Sequence, residues 1–267
     1  MIATIDEFLW LFGAIFGMLR SIKMKDYRVS HASERKSLQY EEVIYRQDSY
    51  DDFLWRAEQN ILRKEFSRLS PGMRYLDFAC GTGRILQLGE GYVGDSVGID
   101  IAPEMLDIAR TKVKHSRLVA GDLTQRDYFS EELFDMITAF RFFLNAQPSL
   151  REEGMNVLAS KLHDKNSTLI FNMHGNLWSH RLGTKIWFWL RGHRLNTSSY
   201  RQSIQLVHAH GLEVIRWYGF GWVPKVFYRI FNPRIMFALD HKIAKIPGAR
   251  YVAYDLVFVC RRKSDFA

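Results

Sequence analysis

The stretch RYLDFACGTGRIL, residues 74–86, constrains the fold more than any other part of the chain. An apolar run carrying one acid leads into small residues at Ala79, Gly81 and Gly83, and a helical segment follows. Such a strand, turn and helix lets backbone N–H groups and a helix N-terminus approach a ligand closely. The neighbouring segments repeat the rhythm. Strands are predicted over Met73–Ala79, Ser96–Ile101, Ser116–Ala120, Phe134–Phe140 and Ser167–Met173, with helices over 83–88, 103–114 and 150–163 between them. A helix over Ser49–Leu69 precedes the first strand, with Ser49 as cap, Asp51 and Asp52 at its positive end, and Phe53, Ala57, Ile61 and Phe66 as its apolar stripe. A helix over Tyr200–His210 and strands over Leu212–Tyr218 and Tyr251–Arg261 close the pattern. The alternation predicts an α/β fold: a doubly wound, mostly parallel sheet of seven strands.

The spacing of the turn restricts its ligand. A dinucleotide-binding turn requires a third small residue, and Leu86 stands there. A P-loop requires Gly-Lys-Ser/Thr, which is absent. What remains is D-x-A-x-G-x-G: Asp77, Ala79, Gly81 and Gly83.

LDFACGTGRIL resembles the first motif of class I S-adenosylmethionine-dependent methyltransferases, whose usual pattern is [DE]-x-G-x-G-x-G; this chain departs at Ala79. VGIDIAPEMLDIAR resembles the second motif, LVAGDLTQ the third and FDMITAFRFF the fourth. The likeness covers residues 40–173 and, in outline, the terminal strand pair, whose last strand it implies to be antiparallel. It implies S-adenosylmethionine as cofactor, with Asp77, Ala79, Cys80, Gly81 and Gly83 at its amino-acid and ribose end. Asp100, with Ile101 and Met105 beside it, would receive the ribose hydroxyls, Asp122 and Leu123 would meet the adenine, and Ala139 and Phe140 would complete the pocket. Tyr45 and Arg46 either cover the donor or pack in the core.

Methyl transfer needs an aligned acceptor, exclusion of water and, for a protonated acceptor, a base. Enzymes that methylate nucleic-acid bases or glutamine carry Asn/Asp-Pro-Pro-Tyr/Phe after the fourth strand; this chain has AFRF, Ala139 to Phe142, which disfavours nucleic acid as substrate. Arg141 pairs with a substrate anion or with a surface acid. His174, in FNMHGN at the end of the fifth strand, is the candidate base for a hydroxyl or a structural histidine, with Phe142, Asn145, Asn172 and Asn176 as candidate substrate contacts. His208 and His210 are two apart on a helix and no His/Cys cluster has ligand spacing, so no metal is expected. The expected reaction is O-methylation of a sugar, glycolipid or secondary metabolite. N-methylation of a small amine, a non-catalytic donor-binding protein and an RNA methyltransferase are the alternatives.

Charge and apolarity are unevenly spread. Residues 171–267 hold 15 Lys and Arg against 4 Asp and Glu, and residues 171–240 hold 14 aromatics. The basic, aromatic segments 174–199 and 219–250 predict a lid lobe over the carboxyl edge of the sheet, where such folds bind ligands. Asn232 and Pro233 start a helix there whose stripe is Met236, Leu239, Ile243 and Ile246, with Asp240, Lys242 and Lys245 elsewhere. The N-terminus is apolar from Phe8 to Leu19, 12 residues, where a membrane span needs about 20. It reads as a helix docked on the protein or lying at a membrane interface. The expected organisation is an N-terminal extension over 1–48, a donor-binding core over 49–173, and over 174–267 the lobe with the core's last helix and strands. Two cysteines, Cys80 and Cys260, fit a reducing compartment. The expected location is cytoplasmic, with peripheral membrane contact through the N-terminal helix and residues 222–246, and the expected acceptor is a small, anionic or lipid-linked molecule.

Overall fold

The computed structural model describes Arg28, residues 49–191 and residues 198–263, with the backbone alone at His174. The N-terminal extension read over 1–48, with Tyr45 and Arg46, lies outside the described residues apart from Arg28. Strands β1 (Arg74–Phe78), β2 (Asp95–Asp100), β3 (Arg117–Ala120), β4 (Met136–Ala139), β5 (Thr168–His174), β6 (Leu212–Phe220) and β7 (Asp255–Arg262) form one sheet in the order β3-β2-β1-β4-β5-β7-β6. The pairings from β3 through β5 are parallel, and β7 runs antiparallel to both β5 and β6. Helices α1 (Tyr50–Phe66), α2 (Arg84–Gly89), α3 (Pro103–Arg110), α4 (Pro148–Ser160), α5 (Arg181–Leu190), α6 (Tyr200–Ala209), α7 (Lys225–Ile230) and α8 (Pro233–Ile243) are the α-helices over residues 49–191 and 198–263.

Period-two alternation sends successive strand residues into two separate cores. Leu76, Phe78, Ile99, Phe171 and Phe258 face one side, under α4 and α6. Tyr75, Ile170, Val257 and Val259 face the other, under Phe53, Leu54, Leu62 and Phe66 of α1 and Leu86 of α2. Tyr75 and Phe66 are fully buried and meet edge to face at 5.2 Å; such a pair adds about 0.5–1.5 kcal/mol beyond its burial.

Ser49 caps α1 as the sequence predicts, accepting from the Asp52 amide at 3.1 Å. The stripe of α1 is shifted, however. Its buried face carries Leu54, Glu58, Leu62 and Glu65, whereas Ala57 and Ile61 are only half-buried. Glu65 accepts from Arg216 Nη2 (2.6 Å) and the Tyr218 hydroxyl (2.7 Å), which locks α1 onto β6. Burial opposes its charge, but these donors hold its carboxyl below the ordinary range.

Two further boundaries move. Helix α3 ends at Arg110 rather than 114. Residues 249–252 form a 3₁₀ turn opened by Gly248 at φ +81°, so β7 begins at Asp255 and not at Tyr251. Asp240 faces inward from α8, against the expected pattern. It is buried and accepts from the Trp222 and Val223 amides and the Tyr228 hydroxyl, each at 2.8 Å. No described helix is long and apolar enough to cross a membrane.

Candidate functional site

Strand order reverses between β1 and β4, and ligands of such sheets lie outside the carboxyl ends of the strands at that point. The turn after β1 is closed by the Gly83 amide on the Cys80 carbonyl (2.9 Å). Ala79 sits at φ +54°, which explains why a glycine usually stands at this position. Gly81 and Gly83 also have positive φ, +52° and +74°. They differ in surroundings. A Cβ on Gly83 would lie 2.9 Å from the Ala109 Cβ of α3, whereas one on Gly81 would meet nothing within 4 Å. Gly83 therefore serves packing, and Gly81 borders open space.

Leu86, where a dinucleotide turn needs a small residue, is fully buried. The space comes from β2 instead: a Cβ on Gly98 would lie 2.5 Å from Leu86 Cδ2. The small partner has moved from helix to strand, which suits the turn to a ligand other than a dinucleotide.

Asp100 ends β2 and organises the turn. Its Oδ2 accepts from the Gly81 amide at 2.8 Å and its Oδ1 from the Ala102 amide at 2.9 Å. A carboxylate offers about four acceptor sites, so capacity for hydroxyl donors remains. Asp77 is 2% exposed and accepts from the Thr138 hydroxyl at 2.6 Å, while its Oδ2 is buried without a hydrogen-bond partner. Burial pushes its pKa up to about 7, against the Thr138 hydrogen bond. An orphaned acid oxygen, an open glycine turn and an acceptor-rich carboxylate fit the cationic amino-acid end and ribose of S-adenosylmethionine. Cys80 contributes backbone only, because its sulfur packs inward toward Gly98 and burial raises its thiol pKa well above the usual range. Ile101 and Met105 are half-buried beside Asp100.

At the third motif, Asp122 Oδ1 accepts from the Thr124 amide at 2.9 Å, and its Oδ2 accepts from Arg28 Nε at 2.6 Å. Arg28 also reaches Glu153 at 2.8 Å. Leu123 is 2% exposed and belongs to the core. Nothing in the local pattern around Arg28 announces this long-range pair.

The β4, β5 and β7 ends assemble a second group. Arg141 holds φ +62°, and its amide donates to Asn172 Oδ1 at 2.6 Å, pinning that backbone. Its guanidinium donates to Glu58 of α1 at 2.8 Å, and Asn172 Nδ2 reaches the same oxygen at 3.4 Å. Asn145 Nδ2 donates to the Arg141 carbonyl at 2.5 Å. Asp255, opposite His174 in register, is fully buried with no hydrogen-bond partner for either carboxylate oxygen. Burial first, and then the Glu58 charge, push its pKa well above the carboxylate range, while Arg141 pulls it down. Two buried carboxyl groups thus lie in the field of one guanidinium, whose ion pair is with Glu58.

Three of the expected site residues are engaged within the protein itself. Arg141 pairs with an internal acid, Glu58, rather than with a surface acid. Phe142 belongs to the core, edge to face with Phe78 at 4.8 Å and against Gly154. Asn176 is fully buried and holds the Tyr251 and Ala253 carbonyls at 2.8 and 2.9 Å, a structural tie. Ala139 and Phe140 are buried on opposite core faces. Glu58 and Asp255 escape the sequence reading, although both leave a trace. Glu58 interrupts Leu54 and Leu62 at helical spacing, and Asp255 is a lone acid in an apolar strand.

Residues 76–163 match a family model described as a methyltransferase domain. No curated protein matches the chain in sequence. Among solved structures, the magnesium protoporphyrin IX methyltransferase ChlM of Synechocystis PCC 6803 with bound S-adenosylhomocysteine superposes with a TM-score of 0.61 at 15% identity, over 88% of this chain and 98% of that one. The N-methyltransferase NodS of Bradyrhizobium japonicum WM9 with the same ligand gives 0.58 at 15% identity, over 90% and 100%. A TehB-like enzyme of Corynebacterium glutamicum gives 0.52 at 18% identity, over 86% and 100%. The fold is that of class I methyltransferases, and the matched segment carries β1 to β4 with the whole glycine turn. Residues 76–163 thus match a methyltransferase domain, set in a fold shared with these S-adenosylhomocysteine-bound methyltransferases.

Proposed function

We propose that the chain methylates a hydroxyl of a small organic acceptor held where β4 and β5 end. The observation that carries this reading is the juxtaposition, on one sheet edge, of the open Gly81 turn and the Arg141–Glu58–Asn172–Asp255 group. Bound S-adenosylmethionine supplies a methyl group on a sulfonium centre. Asp100 holds the ribose, Asp77 faces the cationic amino-acid end, and Asp122 with Leu123 borders the adenine. Arg141, its backbone pinned by the buried Asn172, orients the acceptor from the far side. His174 is the proposed base, on its place at the end of β5 opposite Asp255. A neutral imidazole there takes the hydroxyl proton as the oxygen attacks. The lobe after residue 174 excludes water.

The carboxyl excess of the same group favours a second reading, N-methylation of an amine held as its cation. Transfer of a labelled methyl group into fractionated small molecules, with the product bond assigned by NMR, separates the two. An O–CH₃ product supports the first reading and an N–CH₃ product the second. Label entering only RNA or protein contradicts both. His174→Ala should cut turnover tenfold or more at unchanged donor affinity, and unchanged turnover would remove His174 from the mechanism.

A further inference from the structure

Among the described residues, exposed large apolar side chains concentrate in one part of the chain. Every large hydrophobic side chain exposed among the described residues lies between Trp178 and Val252, except Leu133. Soluble proteins rarely leave such surface contiguous unless something binds it.

Helices α7 and α8 show why the sequence stripe is incomplete. Tyr228, Met236, Phe237, Asp240 and Ile243 turn inward, with Asp240 tying α8 to the turn before α7. That leaves a second apolar set facing out: Ile230 (65% exposed), Phe231 (51%), Ile235 (62%), Leu239 (42%) and Ile246 (58%). An apolar groove of about 400 Å³ opens among them, lined by Val223, Phe227, Phe231, Met236, Leu239 and Ile243. These helices and the turn after α8 carry exposed Arg229, Arg234, Lys242 and Lys245, and the one acid over residues 225–246 is the buried Asp240. Apolar side chains ringed by cations with no exposed acid suit a surface that is negative outside and oily beneath. A protein partner would need both an apolar ridge and an acidic rim, whereas an anionic bilayer presents both everywhere.

We propose that the outer face of α7 and α8 docks on an anionic lipid bilayer, with Ile230, Phe231, Ile235 and Leu239 entering the interface and Arg229, Arg234, Lys242 and Lys245 meeting the headgroups. Docking sets the lobe of the enzyme against the membrane and makes acceptors dissolved in or tethered to it accessible.

Vesicle flotation of the full chain tests this. Phosphatidylcholine vesicles with 30% phosphatidylglycerol should carry the protein up, and pure phosphatidylcholine vesicles should carry at least tenfold less. Raising salt from about 0.1 to about 1 M, which shortens the screening length from about 10 to about 3 Å, should release it. The triple variant Arg229→Glu/Arg234→Glu/Lys242→Glu changes only exposed residues and should lose tenfold or more of the binding while keeping the wild-type affinity for S-adenosylhomocysteine. The variant Ile230→Ser/Ile235→Ser should lose binding as well. Absence of flotation with anionic vesicles, equal binding to both vesicle types, or wild-type binding by the triple variant overturns the proposal. Sedimentation showing the face buried in a stable dimer also overturns it.

Discussion

The two ends of the sheet edge are built on opposite principles. Around β1 and β2 the chain builds with backbone: three positive-φ positions at alternate residues, amides held by Asp100, and open space beside Gly81. Around β4, β5 and β7 it uses side chains drawn from 58 to 255, in which Glu58, Arg141 and Asn172 are hydrogen-bonded together and Asp255 is buried in their field. The first kind of site is local in sequence and tolerates little variation, because few residues adopt left-handed backbone. The second is non-local and can be refitted to another acceptor by exchanging single side chains. A fold that keeps its donor and varies its acceptor has reason to divide the work this way.

The largest expected effect breaks the acceptor half. Glu58→Ala leaves Arg141 without its buried partner and should cost about 3 kcal/mol of stability in urea unfolding. Glu58→Gln should cost less and lower turnover without touching donor affinity.

Next come the two glycines, which should part company. Gly83→Ala meets Ala109 and needs φ +74°, so it should destabilise the fold by about 2 kcal/mol or more. Gly81→Ala meets nothing and should cost only about 1 kcal/mol from its backbone, yet weaken S-adenosylhomocysteine binding severalfold. Equal behaviour of the two variants in both assays would erase the distinction between packing and cradle.

The third prediction concerns pH. Asp77 titrates near 7 in the folded chain, against about 3.9 when unfolded. The folded state therefore holds the additional proton. This stabilisation is complete below about pH 4 and is lost as pH rises through about 7. A cationic donor favours the ionised acid, so its affinity should rise roughly tenfold from pH 6 to 8, and Asp77→Asn should flatten that rise in calorimetry.

The smallest effect is Ala79→Gly. Relief of the left-handed alanine should raise stability by about 0.5 kcal/mol, the strain removed being partly offset by glycine's greater freedom when unfolded. A fall in stability would show that Ala79 is not strained.

The same division governs what could be read from sequence. The mostly parallel α/β sheet needs only alternation and was legible, as was the turn, because Asp77, Gly81, Gly83 and Asp100 lie within 24 residues and each carries a backbone requirement. The helix stripes were legible only where apolar residues were the buried ones. On α1 and α8 the buried face includes Glu58, Glu65 and Asp240, and a reading that seeks hydrophobic periodicity sends acids to solvent. Asn176 and Phe142 were read from their place after strand ends, and their internal partners, the Tyr251 carbonyl and Gly154, are known only once the chain has folded.

Calorimetric titration of S-adenosylhomocysteine into the wild type, Asp100→Asn and Asp255→Asn tests the separation of the halves most directly. The account predicts binding to the wild type, a loss of tenfold or more in Asp100→Asn, and wild-type affinity in Asp255→Asn. No binding to the wild type, or equal weakening by the two substitutions, would contradict it.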